Sequence, residues 1–340
     1  MKPFETAVEI GVPPAAVWEA LVAPEGHRAW YYDLAPEGRF AEGAAIRWRQ
    51  RDGTVAEEST VREVAAPRRL VLDTRFTFVA AFAEQPPHRL TIELEPAGAG
   101  SHVVMRADLG AEGPVRRLFE SEGAGLLKGL RVALDPALRA QLARRDRIGP
   151  VEIQDVTAAR VADYQAFFDE DAFRDYPAWS SCYCMETHFG GTQQEHLLRN
   201  AADNRADMSR LLASGEATAL LAYADGRPVA WCSYGATRRL AGLMAKLNLD
   251  PADHEGVGSI ACFVIAAPYR GHGLARRLLD AACERLAASG LEWVEAYPQR
   301  SGATAQANYR GPLEMYQAAG FEPYREAGRT LVVRRRLRDG

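Results

Sequence analysis

The chain has 340 residues, of which 47% are hydrophobic and 25% are charged. This length suggests about two domains, each with enough apolar residues for an ordinary globular core. Its 41 basic and 45 acidic residues leave a formal net charge of −4, which excludes a strongly basic nucleic-acid binder and an acidic solvating tail.

The start of the chain does not have the pattern of an export signal. It reads MKPFETAVEI, so Glu5 stands where a secretory segment would be apolar. No run approaches the roughly 18 apolar residues of a membrane span. The cysteines number five, an odd count, which fits reduced thiols. We therefore expect a cytoplasmic protein with no membrane partner.

The first 110 residues are predicted to form mainly β-strands. Six short segments are rich in β-branched and aromatic residues, as strands are. They are residues 4–12, 45–50, 55–64, 70–79, 89–95 and 102–109. A short helix is predicted after Pro13 and Pro14, because proline is tolerated in a first helical turn. A long helix with apolar residues at helical spacing is predicted to start at Pro114 and close this region.

The pair Gly149-Pro150 marks the predicted domain boundary. We divide the chain into residues 1–148 and residues 149–340. The second part is predicted to hold a strand at 151–156, helices at 158–168 and 193–214, and a hairpin joined by Asp225-Gly226. Later elements are a strand at 259–266, a helix at 273–289, a strand at 293–297, a helix at 312–319 and a strand at 329–337. This order predicts an α+β domain with one central βαβ unit.

One segment of the second domain has the pattern of an anion site. It reads IACFVIAAPYRGHGLARRLLDAA over residues 260–282, so an apolar strand leads through a glycine turn into an amphipathic helix. The first N–H groups of a helix lack partners, and the helix dipole adds about half a positive charge there. Gly271 and Gly273 let the main chain approach a ligand oxygen closely. The segment therefore predicts a phosphate or pyrophosphate site.

The same segment resembles the acetyl-CoA signature of the GNAT (GCN5-related N-acetyltransferase) superfamily. That signature, Arg/Gln-x-x-Gly-x-Gly/Ala, is matched by residues 270–275, RGHGLA. A second segment, MYQAAGF at 315–321, resembles the family's aromatic-Tyr-x-x-x-Gly-Phe pattern. The resemblance implies a GNAT fold for residues 149–340, a mixed sheet with a central β-loop-α site for acetyl-CoA.

The resemblance also implies roles for individual residues, with acetyl-CoA as co-substrate. The pyrophosphate turn and first helical turn map to Arg270, Gly271, His272, Gly273, Leu274, Ala275 and Arg276. The strand that polarises the thioester and pairs with the pantetheine arm maps to Phe263, Val264 and Ile265. The tyrosine that protonates the leaving thiolate maps to Tyr316. The family's asparagine, seven residues before that tyrosine, has no direct equivalent: Asn308 lies eight before it, and Pro312 is expected to start the helix after Asn308.

A general base for the amine does not stand out in the sequence. Glu255 is our choice, because many GNAT proteins place a glutamate or a bound water before this strand. His254, Glu186 and His188 remain alternatives. Cys182 and Cys184 lie near two of these, but zinc sites usually need a second pair of ligands, so no metal is expected.

Residues 4–134, within the predicted domain 1–148, resemble the START-like SRPBCC superfamily, and specifically its AHSA1-type (activator of Hsp90 ATPase homologue) domains. The resemblance depends on the order of several weak segments. They are VPPAAVW at 12–18, Trp30-Tyr31, APRRL at 66–70, TIELE at 91–95 and the helical residues 123–134. It implies a helix-grip fold, an antiparallel sheet around a long C-terminal helix, and a small hydrophobic ligand or binding partner. His27, His88 and His102 stand singly and are expected at the surface.

Together these features predict an acetyl-CoA-dependent N-acetyltransferase fused to a START-like binding domain. Its partner would be a small-molecule or peptide amine acceptor, with no nucleic acid involved. The alternative is a regulatory protein whose GNAT domain binds CoA as a sensor without turnover. The sequence leaves the acceptor and the first domain's ligand open.

Overall fold

The structure is a computed structural model, and it describes residues 2–28, 30–50, 52–110, 112–143, 148–192, 195–196, 198–299, 308–327 and 330–337. The chain forms two compact units. The first unit comprises Met1–Ala143 and Asp175–Ser181, and the second comprises Arg144–Arg174 and Cys182–Gly340. Each unit is built on one sheet, so the chain is α+β with two sheets. No helix in the described ranges is long and apolar enough to cross a membrane.

The sheet of the first unit is antiparallel throughout. Its strands are β1 (Phe4–Ile10), β2 (Ala35–Glu37), β3 (Ala45–Arg49), β4 (Val55–Ala65), β5 (Arg69–Phe76), β6 (His88–Ala97) and β7 (Gly100–Asp108). They lie in the order β1-β7-β6-β5-β4-β3-β2. The first strand therefore pairs with the last, and the others follow as hairpins. Strand β2 was not predicted, because three residues that include Pro36 carry no strand pattern.

The first unit's long helix packs on this sheet. The helices of the unit are α1 (Pro14–Val22), α2 (Pro24–Arg28), α3 (Ala80–Ala83), α4 (Pro114–Leu134) and α5 (Pro136–Ala143). Helix α4 lies against β1, where the ring centroids of Phe4 and Phe119 are 5.6 Å apart. A Cβ atom at Gly123 would lie 2.5 Å from Cζ of Phe4. Glycine at this position is therefore what allows the helix to approach the strand so closely.

The sheet of the second unit is mixed. Its strands are β8 (Val151–Asp155), β9 (Thr218–Ala224), β10 (Arg227–Ala236), β11 (Val257–Ile265), β12 (Trp293–Ala296), β13 (Glu322–Ala327) and β14 (Thr330–Arg336). They lie in the order β13-β14-β12-β11-β10-β9-β8. Among these pairs only β11 and β12 run parallel. This pair belongs to the predicted βαβ unit.

Helices cover both faces of the second sheet. They are α6 (Val161–Ala166), α7 (Ala201–Ser214), α8 (Ala241–Leu247), α9 (Leu274–Ala288) and α10 (Leu313–Gln317). On one face, Leu278 of α9 packs in a core that also contains Tyr316. On the other face, Trp231 of β10 packs in a separate core with Tyr164 of α6. Between the two cores, β11 is buried along almost its whole length.

Three elements of the second unit differ from the sequence prediction. The helix predicted over residues 193–214 is α7, which begins at Ala201. It begins there because the side chain of Asn200 caps it, accepting a hydrogen bond from the Asp203 N–H at 2.8 Å. Gln193, the predicted start, lies outside the described residues. Helix α8 and strand β13 were not predicted. Helix α8 has seven residues and no side-chain cap, so neither periodicity nor a capping residue reveals it.

Candidate functional site

Strand β11 separates from β12 halfway along its length. The two strands pair only between Val257–Ile260 and Trp293–Ala296, while the rest of β11 continues to pair with β10. The β12-facing edge of residues 261–265 therefore has no strand partner in the described part of the chain. One donor on this edge is engaged: the Phe263 N–H donates to the carbonyl oxygen of Tyr309 at 2.6 Å. Since main-chain groups alternate along a strand, Ile265 faces the same edge and Val264 faces β10.

The glycine turn follows this free edge directly and ends at α9. Gly271 and Gly273 have φ angles of +78° and +75°, in the region that favours glycine. Gly273 precedes the first turn of α9, and no side chain caps that helix. The Nε of Arg270 donates to the carbonyl of Ile265 at 2.9 Å, which fixes the turn against the strand end. A Cβ atom at Gly273 would meet no described atom within 4 Å, so open space lies beside the helix N-terminus.

The other residues of the predicted turn have different surroundings. Leu274 is buried in the core and Ala275 packs partly against it, so each could offer a ligand its main-chain N–H. Arg276 is held by Asp280 at 3.0 Å and by the carbonyl of Ala318 at 2.9 Å. The Nε2 of His272 is buried and has no partner among the described residues. The main-chain N–H groups at the start of α9 and the Nε2 of His272 are therefore the polar groups of this turn that have no partner among the described residues.

Tyr316 is fully buried, and its hydroxyl donates to the carbonyl of Arg310 at 2.5 Å. Burial holds the pKa of Tyr316 well above its usual value, so the phenol keeps its proton.

Asn308 lies in the turn before α10, with its carbonyl accepting from the Gly311 N–H at 2.8 Å. Because Pro312 precedes the first residue of the helix, the prediction that Asn308 lies outside it is confirmed.

Glu255, the base chosen from the sequence, lies before the opposite end of β11 from the free edge. This residue is exposed and precedes β11, whereas the free edge lies at the other end of the strand. Roughly 20 Å of strand separates Val257 from Phe263 at the usual rise per residue. The neighbouring His254 is buried, with Nδ1 2.6 Å from the carbonyl of Asp250 and Nε2 3.4 Å from Glu295. Neither side chain meets the free edge of β11.

A charged cluster lies beside the segment that engages Phe263. It consists of Glu186, Lys246, Tyr309 and Arg310. Glu186 and Lys246 form an ion pair, and their side chains are 22% and 35% exposed. Burial would raise the pKa of Glu186, but the Lys246 ammonium and the Arg310 guanidinium outweigh it and lower that pKa. The ring centroid of Tyr309 lies 6.0 Å from the Lys246 ammonium and 5.1 Å from the Arg310 guanidinium.

A cavity of about 70 Å³ adjoins this cluster. Its lining comes from three chain segments: the turn around Glu186, the residues after Phe189, and helix α8 with Lys246. His196 also lines it, and the Nδ1 of this histidine is buried with no partner among the described residues. The cavity therefore combines a carboxylate, an ammonium and an imidazole with small and apolar side chains.

The remaining alternatives from the sequence have other partners. Nε2 of His188 lies 3.2 Å from the hydroxyl of Ser233, and burial lowers the pKa of His188 to about 4, so it is neutral. The thiol of Cys184 accepts from Trp231 Nε1 at 3.0 Å. Burial raises the pKa of Cys182 to about 12, which keeps that thiol protonated. No group of three or more metal-ligating side chains occurs among the described residues.

Sequence reasoning missed Lys246, Tyr309 and Arg310. One signal for Lys246 was present, since it is one of three lysines in a chain with 38 arginines. Tyr309 and Arg310 precede the second motif and have no pattern of their own. Glu186 was only an alternative, and the structure brings it together with these three residues.

The first unit has a buried polar cluster that the sequence did not reveal. His27 and His88 are only 4% and 6% exposed, so the prediction that they lie at the surface is wrong. His27 packs among aromatic rings, 4.4 Å from the centroid of Trp48. Glu57 is also buried and accepts from the Tyr31 hydroxyl at 2.6 Å. Burial raises the pKa of Glu57 to about 8.

Comparison with protein families confirms both resemblances. Residues 11–130 match the family described as Activator of Hsp90 ATPase homolog 1-like protein. Residues 169–321 match the acetyltransferase (GNAT) family. The second match indicates an acetyltransferase in general, in a family that generally uses acetyl-CoA. The first match suggests a ligand-binding or Hsp90-regulator-like domain.

Solved structures with similarity to this chain come from several organisms. The Aha1 dimer from Colwellia psychrerythraea is 15% identical, with 40% of this chain and 98% of that chain covered and a TM-score of 0.33. CalU16 from Micromonospora echinospora is 17% identical, with 41% and 79% covered and a TM-score of 0.31. An HSP90 activator from Plasmodium falciparum is 15% identical, with 34% and 79% covered and a TM-score of 0.29. No curated protein matches the chain.

Proposed function

We propose that the second unit is an N-acyltransferase that transfers the acetyl group of acetyl-CoA to an amine. The observation that carries the proposal is a continuous stretch of main chain with unpaired polar groups. It runs from the unpaired edge of β11 through the glycine turn to the uncapped N-terminus of α9. A pantetheine arm can extend a sheet at such an edge, and a pyrophosphate suits a helix N-terminus.

In this proposal the donor is held mainly by main-chain groups. Phe263 and Ile265 pair with the pantetheine arm, because they face the free edge; Val264 faces β10 and contributes only packing. The pyrophosphate lies at Gly271, His272 and Gly273 and meets the first N–H groups of α9. The Phe263 N–H, which now donates to the Tyr309 carbonyl, turns to the thioester oxygen and polarises the carbonyl.

The transfer forms one bond and breaks one. The amine nitrogen attacks the thioester carbonyl carbon, the C–N bond forms, and the C–S bond breaks. The acceptor reacts as a neutral amine, after its ammonium form has released one proton to solvent. The attacking nitrogen then loses a second proton, which Glu186 accepts through water, and the CoA thiolate gains one proton from Tyr316. Glu186 afterwards releases its proton to solvent, and solvent returns one to Tyr316. We assign the base role to Glu186 instead of Glu255, because its carboxylate is ionised and lies in the cluster beside the Phe263 contact.

The first unit is proposed to bind a small hydrophobic ligand or a protein partner. In this proposal it has a helix-grip arrangement, with the sheet packed against α4. Support comes from the Phe4–Phe119 contact between β1 and α4 and from the family match over residues 11–130. The buried Glu57, protonated at neutral pH because its pKa is about 8, could donate a hydrogen bond to such a ligand.

One observation favours a second candidate function, a CoA sensor without turnover. The Tyr309–Arg310 segment accepts from both groups that catalysis requires, the Phe263 N–H and the Tyr316 hydroxyl. If that segment stays in place, neither group can act on a thioester. A regulatory domain would then bind the nucleotide end of CoA through the turn alone.

A thiol-release assay separates the two functions. The full chain is incubated with acetyl-CoA and a panel of amines, aminoglycosides, polyamines and peptides, and acetylated product is identified by mass spectrometry. An acyltransferase releases CoA in proportion to acetylated product. Binding of acetyl-CoA without release on any acceptor would favour the sensor.

A further inference from the structure

The guanidinium of Arg310 is buried and forms no ion pair with a carboxylate of the described residues. Arg310 is only 3% exposed, and its Nε and NH2 atoms have no hydrogen-bond partner among the described residues. The undescribed residues 300–307 directly before this turn contain no Asp or Glu. The counterion is therefore not a carboxylate of this neighbouring segment.

An uncompensated guanidinium in the interior is costly, because burial removes its hydration. The Tyr309 ring, 5.1 Å away, offsets only part of that cost. Glu186 is close enough to Arg310 to have its pKa lowered by it, but Glu186 already forms an ion pair with Lys246. The cluster thus holds two fixed cations and one carboxylate. Its excess of one positive charge calls for one further anionic group.

In the proposed acyltransferase reaction, the acceptor approaches the thioester beside this cluster. Tyr309 connects the two places, because its carbonyl accepts from the Phe263 N–H and its ring contacts both cations. The cavity beyond Glu186 and Lys246 measures about 70 Å³, which corresponds to about five water-sized groups. A small amine can occupy this space beside Glu186 and Lys246.

We propose that the acceptor is a small amine that bears a carboxylate, such as an amino acid, and that Arg310 binds this carboxylate. The proposal rests on the proposed acyltransferase function and specifies its substrate class. A guanidinium matches a carboxylate with two parallel hydrogen bonds, and a monoanion balances the excess charge of one. Glu186 then faces the amino group of the same molecule, so the two charged ends of the acceptor meet opposite charges.

The test compares amino acids with their amides in the thiol-release assay at fixed acetyl-CoA. Glycine, L-alanine and L-phenylalanine are each paired with the corresponding amide, which lacks the negative charge. The amides have the more weakly basic amine and so the larger neutral fraction, which works against our expectation. We nevertheless expect kcat/KM to be about 10- to 100-fold higher for the amino acids, the range for a hydrogen bond to a charged group.

The variants assign the preference to Arg310. Arg310→Gln should remove the preference for amino acids over amides, and Arg310→Lys should keep part of this preference. Arg238→Gln changes the net charge equally but at an exposed position, so it should leave the preference unchanged. Equal or faster turnover of the amides by the wild type would overturn the proposal, as would a preference that survives in Arg310→Gln. If acetyl-CoA binds and amines are acetylated but no amino acid is, only the acceptor class is wrong. If acetyl-CoA does not bind in calorimetry, the acyltransferase function fails and this proposal with it.

A second readout does not depend on turnover. Because no carboxylate in the described part of the chain pairs with Arg310, Arg310→Gln should leave Tm unchanged or raise it. Addition of the product N-acetylglycine with CoA should raise the Tm of the wild type more than that of Arg310→Gln. A fall of several degrees in the Tm of unliganded Arg310→Gln would show that the guanidinium has a structural partner in the protein, and would contradict the proposal.

Discussion

The hydroxyl of Tyr316 donates to the carbonyl of Arg310 at 2.5 Å. The proton needed by a departing thiolate is therefore held by the same short segment that accepts from the Phe263 N–H. Two groups with separate roles in the proposed reaction are linked through one turn. Movement of that turn would free both at once.

Replacing Tyr316 by phenylalanine tests the role of this hydroxyl. We expect kcat to fall about 100-fold, the usual size of a general-acid contribution, and stability to fall by about 1 kcal/mol for one lost hydrogen bond. Steady-state kinetics and urea unfolding measure the two effects. Tyr297→Phe is the matched control, since Tyr297 is equally buried and hydrogen-bonded to Ser259 at 2.7 Å. It should lower stability and leave kcat unchanged; an unchanged kcat in Tyr316→Phe would make that residue purely structural.

The choice between two carboxylates can be tested by Glu186→Gln and Glu255→Gln. Glu186 is ionised beside Lys246, and Glu255 is exposed before the other end of β11. We expect kcat/KM to fall about 100-fold or more in Glu186→Gln and to stay within twofold in Glu255→Gln. The thiol-release assay at saturating acetyl-CoA measures both. The reverse order would return the base role to Glu255.

Glu57 gives the first unit a pH dependence of known sign. Its pKa is raised by burial from 4.5 to about 8, so between these values the unfolded chain releases a proton that the folded chain keeps. Stability therefore falls as pH rises from 6.5 to 8, by at most about 1.4 kcal/mol per pH unit. In this range the buried histidine His27, with its pKa lowered to about 3, is neutral in the folded protein.

Urea unfolding at several pH values checks this dependence. Glu57→Gln should flatten the decline, whereas Glu58→Gln, on the same strand but with a side chain 44% exposed, should leave it as in the wild type. An identical decline in Glu57→Gln would mean that another group titrates.

Gly123→Ala tests the contact between α4 and β1. The new methyl group would lie 2.5 Å from the ring of Phe4, an overlap that costs about 1–3 kcal/mol. Alanine's better helix propensity offsets about 1 kcal/mol of that cost. We expect a net loss of up to about 2 kcal/mol in urea unfolding, and recovery in the double variant Gly123→Ala with Phe4→Leu. No recovery would show that the methyl group meets a different neighbour.

The proposed donor side of the site could be read from the sequence because it is local in the chain. Strand, glycine turn and helix follow one another between residues 257 and 288. Each of them can be recognised from a pattern in consecutive residues: an apolar run, spaced glycines and helical periodicity. The same holds for the start of α10 at Pro312. Such features need no knowledge of distant contacts.

The proposed acceptor side could not be predicted, because its members are distant in sequence. Glu186 and Lys246 are 60 residues apart, and Arg310 follows a segment with no recognisable pattern. Nothing in the sequence indicates that a main-chain carbonyl of Tyr309 meets Phe263. The burial of His88 was missed for a related reason: a histidine in an alternating strand reads as polar, while the rings of Phe76 and Phe119 enclose it in the fold.

Isothermal titration calorimetry with acetyl-CoA tests the central claim most directly. Three proteins are compared: the wild type, Gly273→Glu, and Gly215→Glu as the control. Gly215 has a φ of +74° and ends α7, so glutamate strains the main chain there as it does at Gly273, where φ is +75°. We predict micromolar binding to the wild type and to Gly215→Glu and no binding to Gly273→Glu, whose carboxylate would occupy the anion site. Absence of binding to the wild type, or undiminished binding to Gly273→Glu, would contradict the account.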